Sequence, residues 1–222
     1  MAEQDVLLVF VKHPQPGAAK TRLIPALGPE NAAALYRALA EEEIASTRPL
    51  EQEYRRLFFF APEEAGEEVR SWLPGERLLP QLGPDLGARM VAAFAAAFAG
   101  GARRAAIVGT DVPWVDRTRV CEAFAALESH DVALGPAHDG GYYLVALRRH
   151  APALFEGIPW STPSVLAATA ERAGALGMSV HHLEPLRDID TIEDLRAEWD
   201  RVRPLLEKRK ELLVAVEAAL GG

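Results

Sequence analysis

The sequence predicts an α/β protein with a single-domain, three-layer α/β/α architecture and a mainly parallel, doubly wound sheet. Two short apolar runs, VLLVFV at residues 6–11 and AAIV at residues 105–108, are too short for helices and lack polar alternation. Such runs are typical of strands that are buried on both faces of a parallel sheet. Strand-like and helix-like segments then alternate along the chain, which favours a doubly wound topology. We therefore expect one domain over residues 1–222.

Turn and capping residues set the limits of the predicted elements. Pro29 suits the first turn of a helix, Gly100 and Gly101 suit a helix end, and Thr162 followed by Pro163 suits a helix start. The predicted strands are 6–11, 56–61, 105–108, 132–134, the run that follows Gly141, and one that contains His181 and His182. The predicted helices are 29–47, 62–73, 85–99, 117–127, 163–176, one capped by Thr191, and 204–220. We expect the apolar side of the last helix to pack on the domain or on a partner subunit, as in a homodimer.

Composition excludes several classes of partner. The chain has 222 residues, a formal net charge of −8 and one short basic block at residues 208–210, which argues against nucleic acid as a partner. Its single cysteine, Cys121, excludes an intramolecular disulfide, and no Cys/His spacing indicates zinc. The N-terminal residues lack the pattern of a signal peptide, and no apolar run has membrane-spanning length. We expect a cytoplasmic protein.

Asp111 follows the buried run at residues 105–108 in the sequence GTDVPW. This position corresponds to the carboxyl end of a central strand, where open α/β sheets bind their ligands. A carboxylate there suits a divalent metal such as Mg²⁺ or Mn²⁺ that is shared with substrate phosphates. A turn or a helix cap would use the same aspartate, and position alone does not separate these interpretations.

The loop after the first strand, KHPQPGAAKTRL at residues 12–23, carries three cations: Lys12, Lys20 and Arg22. Its prolines and Gly17 indicate a shaped loop in the place where nucleotide-binding sheets receive phosphate. The loop matches neither G-x-G-x-x-G nor G-x-x-x-x-G-K-[ST], so a dinucleotide site and a P-loop are both disfavoured. A solvated turn with scattered cations is the weaker interpretation.

Two further acidic segments follow. In GPAHDGGYY, Asp139 precedes two glycines, a pattern that suits either a ligand-binding turn or an ordinary hairpin. In DIDTIEDL, Asp188 and Asp190 alternate along an extended segment, so both could reach one cation, although capping of the next helix explains them equally well.

Six segments in order resemble one known family. They are FVKHPQPGAAKTRL, QLGPDLGARM, VGTDVPWV, LGPAHDGGYYLVAL, IPWSTPSVL and DIDTIEDL. Together they resemble the bacterial DUF2064 proteins, glycosyltransferase-A-like members of the nucleotide-diphospho-sugar transferase superfamily, some of which are assigned to arsenosugar biosynthesis. The resemblance runs from about residue 7 to residue 199. It specifies the fold more strongly than the reaction, because the same fold also hosts nucleotidyltransferases.

The resemblance implies a metal-dependent glycosyltransferase that moves a sugar from a nucleotide-diphosphate sugar to a small-molecule acceptor. The implied nucleotide- and phosphate-binding residues are Lys12, Gly17, Lys20, Thr21 and Arg22. Asp111 and Asp190 would hold Mg²⁺ or Mn²⁺, and Asp139 together with Asp111 would be catalytic. The implied substrate-binding residues are Gly140, Gly141, Tyr142, Trp160, Ser161 and Thr162. The central motif has one carboxylate, whereas many metal-dependent glycosyltransferases have Asp-x-Asp, and Val112 replaces a frequent cysteine.

Two other functions remain open. A nucleotidyltransferase resembling 2-phospho-lactate guanylyltransferase would use the same loop and metal with an NTP, although the glycine-rich loop of those enzymes is replaced here by PGAAKTR. A non-catalytic nucleotide-binding protein would retain the loop without turnover. The joint presence of Asp111, Asp139 and Asp190 favours an enzyme.

Overall fold

A computed structural model describes residues 4–221 and contains one seven-stranded sheet in that range. The strand order is β3-β2-β1-β4-β6-β5-β7. The strands are β1 (Gln4–Lys12), β2 (Arg55–Ala61), β3 (Leu78–Pro80), β4 (Ala102–Val108), β5 (Val132–Pro136), β6 (Tyr142–Leu147) and β7 (Val180–His182). The apolar runs at residues 6–11 and 105–108 therefore form neighbouring central strands, β1 and β4.

Helices cover both faces of this sheet. They are α1 (Ile24–Ser46), α2 (Gly66–Trp72), α3 (Leu86–Ala99), α4 (Arg117–Ala126), α5 (Val165–Ala175), α6 (Ile192–Ala197), α7 (Trp199–Leu205) and α8 (Lys210–Gly221). Short 3₁₀ turns occur at Thr21–Leu23, Glu63–Ala65 and Pro152–Phe155. The predicted α/β fold with a mainly parallel sheet is confirmed.

Strand β6 is the exception to the parallel arrangement. It pairs antiparallel with both β4 and β5, whereas the β1–β2, β1–β4, β2–β3 and β5–β7 pairs are parallel. The turn at residues 137–141 joins β5 to β6 directly, and a connection this short allows an antiparallel hairpin but no parallel crossover. The hairpin brings this turn to the edge where β4 ends.

The core lies on both faces of the sheet because the buried strands alternate their side chains between them. Val6, Leu8 and Phe10 of β1 pack into one cluster with residues of α3 and α5, while Leu7, Val9 and Val11 pack into another with residues of α2 and α4. A third cluster joins α1 to the C-terminal helices. Within residues 4–221, no helix has the length and apolar composition needed to cross a membrane.

The predicted helix over 204–220 is wrong between residues 206 and 209. Helix α7 ends at Leu205, and after a turn α8 begins at Lys210. Leu206 and Leu212 both reach the cluster beneath α1. Residues six apart on a continuous helix point to different faces, so the break allows both leucines to be buried on the same side.

One other prediction at an element end, the cap at Thr162, needs correction. Helix α5 begins at Val165 without a side-chain cap, and the Thr162 hydroxyl instead donates to the carbonyl of Pro159 at 2.7 Å. Helix α1 includes a short turn before Gly28, whose φ of 76° and ψ of 161° separate that turn from the longer helix that starts at Pro29, as predicted. The cap predicted at Thr191 is present: its side chain accepts from the amide of Asp194, and Asp194 reciprocates. The edge strand β3 was not predicted because it has three residues and ends in proline.

Candidate functional site

A cavity of about 620 Å³ opens at the carboxyl ends of β1 and β4, beside the turn between β5 and β6. This is the edge at which open α/β sheets bind ligands, and the volume is in the range of small-molecule sites. Its lining comprises a cationic and acidic part, Lys20, Arg22, Asp111, Asp139, Asp188 and Asp190, and a more apolar part that includes Leu86, Tyr142, Tyr143, Trp160 and Val165.

Lys20 lies between two of the carboxylates. Its Nζ is 2.5 Å from Oδ1 of Asp111 and 3.8 Å from Oδ1 of Asp190. The Lys20 side chain is 2% exposed, whereas that of Asp111 is 58% exposed. Arg22 also contacts Asp190, with Nη1 3.1 Å from Oδ2. The cation loop after β1 and the carboxylates after β4 and before α6 thus form one charged cluster.

The backbone of the loop sets the direction of Lys20. Gly17 has φ 82°, and Lys20 itself has φ 46° and ψ 49°, in the left-handed region that non-glycine residues rarely occupy. Such strain persists where the surroundings impose it, often at functional sites. Lys12 turns back onto the loop, and its Nζ donates to the carbonyl of Ala18 at 2.6 Å.

A smaller cavity of about 230 Å³ lies on the α1 side of the charged cluster. Lys12, Thr21 and Tyr36 line it, while Lys20, Arg22, Asp111 and Asp190 line both cavities. The predicted phosphate-binding residues are therefore divided: Lys20 and Arg22 face the larger cavity, whereas Lys12 and Thr21 face only the smaller one.

The turn between β5 and β6 holds Asp139 at the other side of the larger cavity. Oδ1 of Asp139 accepts a hydrogen bond from the amide of Gly141 at 2.8 Å. Gly140 has φ 90°, and a Cβ built there would lie 2.0 Å from the carbonyl oxygen of Pro163. Gly140 thus allows the turn to pack against the segment before α5, a structural role that differs from the predicted contact with substrate.

Asp188 has an environment unlike that of the other carboxylates. Burial raises its pKa, and the nearby charge of Asp139 raises it further. A carboxyl group in these conditions holds its proton to higher pH than an exposed one. The sequence analysis considered Asp188 and Asp190 as a pair of metal ligands. It did not anticipate that Asp188 lies near Asp139, because α5 and β7 separate these two residues in the sequence.

Trp160 forms the more apolar wall with Leu86. The indole lies against Gly87, where an added Cβ would approach Nε1 to 2.5 Å, and its ring stacks near Phe155 with centroids 6.4 Å apart. The next residue, Ser161, has φ 62°. Tyr142, Ser161 and Thr162 line the same cavity, as does Gly141.

Sequence reasoning missed several lining residues, including Leu86, Tyr143, Val165 and Tyr36. These side chains are apolar or aromatic, and the same residue types occur throughout the core. Nothing local in the sequence distinguishes them. Leu86 is 44% exposed at the first position of α3, and only the tertiary structure shows that it faces the cavity.

The donor chemistry of the charged cluster suits a divalent cation that takes part of its ligands from a substrate. Within residues 4–221, no group of three or more His, Cys, Asp or Glu side chains is arranged to hold a metal ion by itself. Asp111 and Asp190 supply two carboxylates, and Mg²⁺ commonly combines one or two carboxylates with phosphate oxygens. The Asp111 carboxylate is largely exposed, so it remains accessible beside its ion pair with Lys20.

Comparison with known proteins assigns the family. The family described as "Uncharacterized protein conserved in bacteria (DUF2064)" matches residues 44–162, more than half of the chain. The chain belongs to this family. The match includes Asp111, Asp139 and Trp160, while the cation loop and Asp190 lie outside it. The resemblance found in the sequence is confirmed. No protein of curated function matches the sequence significantly.

Among solved structures, one from Desulfovibrio desulfuricans G20 is described as a proposed nucleotide-diphospho-sugar transferase. It is 31% identical, with a TM-score of 0.87, and the match covers 97% of this chain and 99% of that one. Similarity over nearly the full length of both chains includes every element around the cavity.

More distant structures share the fold alone. CMP:2-keto-3-deoxy-manno-octonic acid synthetase, in complex with CTP, is 13% identical with a TM-score of 0.56, and the match covers 93% of this chain and 100% of that one. Rv0371c from Mycobacterium tuberculosis H37Rv, in complex with manganese, is 15% identical with a TM-score of 0.50. The match covers 87% of this chain and 97% of that one. The chain thus shares its fold with a synthetase that binds CTP and with a protein that binds manganese.

Proposed function

We propose that this protein is a metal-dependent glycosyltransferase that uses a nucleotide-diphosphate sugar and a small-molecule acceptor. The observation that carries the proposal is the charged cluster of Lys20, Arg22, Asp111 and Asp190 in one cavity at the carboxyl ends of β1 and β4. The similar protein from Desulfovibrio desulfuricans G20, described as a proposed nucleotide-diphospho-sugar transferase, supports this choice.

In this proposal, the cation loop binds the diphosphate. The Arg22 side chain is 66% exposed and presents a planar guanidinium suited to phosphate oxygens, while the buried Lys20 supplies a fixed positive charge. Charges that are already oriented stabilise a developing anion without reorganisation. The two cations would therefore stabilise the nucleoside diphosphate as it leaves the sugar.

Asp111 and Asp190 would hold Mg²⁺ or Mn²⁺ together with the diphosphate oxygens. A bound divalent cation would neutralise charge on the diphosphate and make it a better leaving group. The manganese complex of Rv0371c, which has the same fold, is consistent with this assignment.

The acceptor would occupy the side of the cavity formed by Asp139 and Trp160. Its hydroxyl oxygen forms a bond to the anomeric carbon of the donor sugar, and the bond from that carbon to the diphosphate oxygen breaks. Asp139 is exposed in the cavity and would accept the hydroxyl proton, while the nucleoside diphosphate leaves with the electron pair. Tyr142, Ser161 and Thr162 supply further cavity-facing groups for the sugar and the acceptor.

The test is calorimetric titration of UDP-, GDP-, ADP- and dTDP-sugars and the matching NTPs, with and without Mn²⁺. It compares the wild type with Asp111→Asn, and uses Asp200→Asn, an exposed carboxylate on α7, as the matched control. We expect Mn²⁺-dependent binding of one sugar nucleotide that is lost in Asp111→Asn and kept in Asp200→Asn. Absence of binding by every donor and every NTP would refute the proposal.

A second candidate is a nucleotidyltransferase, because the CTP-complexed synthetase has the same fold. In that reaction an acceptor oxygen would form a bond to the α-phosphorus of an NTP while the bond from that phosphorus to pyrophosphate breaks, whereas the glycosyltransferase releases a nucleoside diphosphate. Identification of the released product by phosphorus NMR distinguishes the two reactions. Nucleotide binding without either product, across a broad acceptor panel, would instead indicate a non-catalytic nucleotide-binding protein.

A further inference from the structure

A series of three hydrogen bonds, two of them buried, lies directly behind Asp111. The backbone ladder between β1 and β4 has its last pair at Val9 and Val108. Beyond it, the Thr110 hydroxyl lies 3.1 Å from the carbonyl oxygen of Phe10 and 2.8 Å from the Tyr36 hydroxyl. The Tyr36 hydroxyl lies 2.8 Å from the amide nitrogen of Lys12.

The proton positions in this series follow from its two ends. The Lys12 amide can only donate, and the Phe10 carbonyl can only accept. Thr110 therefore donates to Phe10 and accepts from Tyr36, while Tyr36 accepts from Lys12. Each hydroxyl donates one hydrogen bond and accepts one. All three bonds therefore run in the same direction, from the Lys12 amide to the Phe10 carbonyl.

These hydrogen bonds connect the two segments that carry the charged cluster. Lys12 ends β1 and begins the cation loop that leads to Lys20, while Thr110 immediately precedes Asp111. Tyr36 lies on α1 and is 3% exposed, and Thr110 is 1% exposed, so water has little access to the bond between their hydroxyls. The bond from the Lys12 amide is part-buried, beside the smaller cavity. Burial and the charge of Asp111 raise the pKa of Tyr36, which keeps its hydroxyl protonated as the series requires.

We propose that Tyr36 is a positioning residue that holds the cation loop and the Asp111 segment at the spacing needed to bind a nucleoside diphosphate. The proposal rests on the proposed function for its ligand. The hydroxyl makes no contact with the reacting atoms in this assignment, and acts through the Lys12 amide on one side and Thr110 on the other. Removal of the hydroxyl leaves the part-buried Lys12 amide and the buried Thr110 hydroxyl without their partner, which favours local rearrangement of both segments.

The test compares Tyr36→Phe with Tyr54→Phe. Tyr54 is also buried, at 2% exposure, and its hydroxyl donates to the Thr47 carbonyl at 2.7 Å, but it lies next to the amino end of β2, away from the cavity. Both variants lose one buried tyrosine hydroxyl. Only Tyr36→Phe is expected to raise the Kd for ADP, CDP, GDP or UDP, whichever binds the wild type, by about tenfold, equivalent to about 1.4 kcal/mol.

A second comparison uses Thr110. Thr110→Ser keeps the hydroxyl and is expected to retain the affinity of the wild type, whereas Thr110→Val is expected to match Tyr36→Phe. If Tyr36→Phe and Tyr54→Phe change affinity equally, or if Thr110→Val binds like the wild type, the positioning role is wrong.

Hydrogen–deuterium exchange separates this inference from the proposed function, because it needs no ligand. We expect faster exchange in peptides covering 10–22 and 108–114 in Tyr36→Phe and unchanged exchange there in Tyr54→Phe. Unchanged exchange in Tyr36→Phe overturns the inference even if the wild type binds nucleotide. If exchange is faster in Tyr36→Phe but the wild type binds no sugar nucleotide, NTP or nucleoside diphosphate with Mn²⁺, the proposed function is refuted and the link between the two segments remains supported.

Discussion

Replacement of Gly140 by alanine tests how the Asp139 turn is held against the wall of the cavity. The amide of Leu166 donates to the Gly140 carbonyl at 2.9 Å, so the turn and the start of α5 are bonded at this residue. A Cβ at residue 140 would lie 2.0 Å from the carbonyl oxygen of Pro163 and 2.6 Å from its carbonyl carbon. These are backbone atoms, so the contact cannot be relieved by rotation of a side chain.

The expected cost has two parts. Gly140 has φ 90°, and an L residue in the left-handed region costs about 1–2 kcal/mol. Forcing two packed backbone segments apart costs about 1–3 kcal/mol more. We expect the free energy of unfolding to fall by about 2–5 kcal/mol.

Gly157→Ala is the matched control. Gly157 has φ 73°, and a Cβ there would meet nothing within 4 Å. This variant should therefore lose only the conformational part, about 1–2 kcal/mol.

Urea unfolding of both variants measures the difference, and nucleotide titration under native conditions measures its effect on the site. We expect Gly140→Ala to lose more stability than Gly157→Ala and to weaken binding of a sugar nucleotide by displacing Asp139 and the segment before α5. Equal loss of stability in the two variants would refute the packing argument. Unchanged ligand affinity in Gly140→Ala would refute the link between this contact and the cavity.

Three other substitutions test the charged cluster, a buried carboxyl group on α1 and the apolar wall of the cavity. Lys20→Gln removes the buried charge beside Asp111, so the Kd for a nucleoside diphosphate should rise by at least about tenfold. A rise in Kd of less than about threefold by calorimetry would contradict this. Glu43 is fully buried, and burial raises its pKa well above the usual value, so the native state keeps a proton that the unfolded chain releases above pH ~4.3. This contribution to stability is present below that pH and is lost as pH rises. Glu43→Gln should therefore gain stability relative to the wild type as pH rises above ~4.3 in urea unfolding, and parallel pH profiles of the two proteins would refute this. Alanine has a higher helix propensity than glycine, but in Gly87→Ala, on α3, the added Cβ would lie against the indole of Trp160. We therefore expect altered tryptophan fluorescence and weaker ligand binding. An unchanged emission spectrum would contradict this.

Local patterns in the sequence were sufficient for most of the fold. The runs at residues 6–11 and 105–108 identified β1 and β4, because burial on both faces requires continuous apolar residues. Thr191 identified the start of α6, because a helix needs a partner for its first amides and a threonine side chain can supply one. The break between α7 and α8 was not predicted, since it depends on how Leu206 and Leu212 meet α1.

The residue types of the candidate site were also readable, including the cations at residues 12–22 and the aspartates at residues 111, 139 and 190. Their roles remain predictions. The arrangement depended on the tertiary structure, because the adjacency of β1 and β4 brings Lys20 to Asp111, and the path of the chain into α6 brings Asp190 to the same ammonium. Tyr36 lines the smaller cavity and bonds to Lys12 and Thr110, residues that are distant in the sequence and adjacent in the fold. Composition and periodicity report the environment of each segment, whereas a binding site depends on which segments become neighbours.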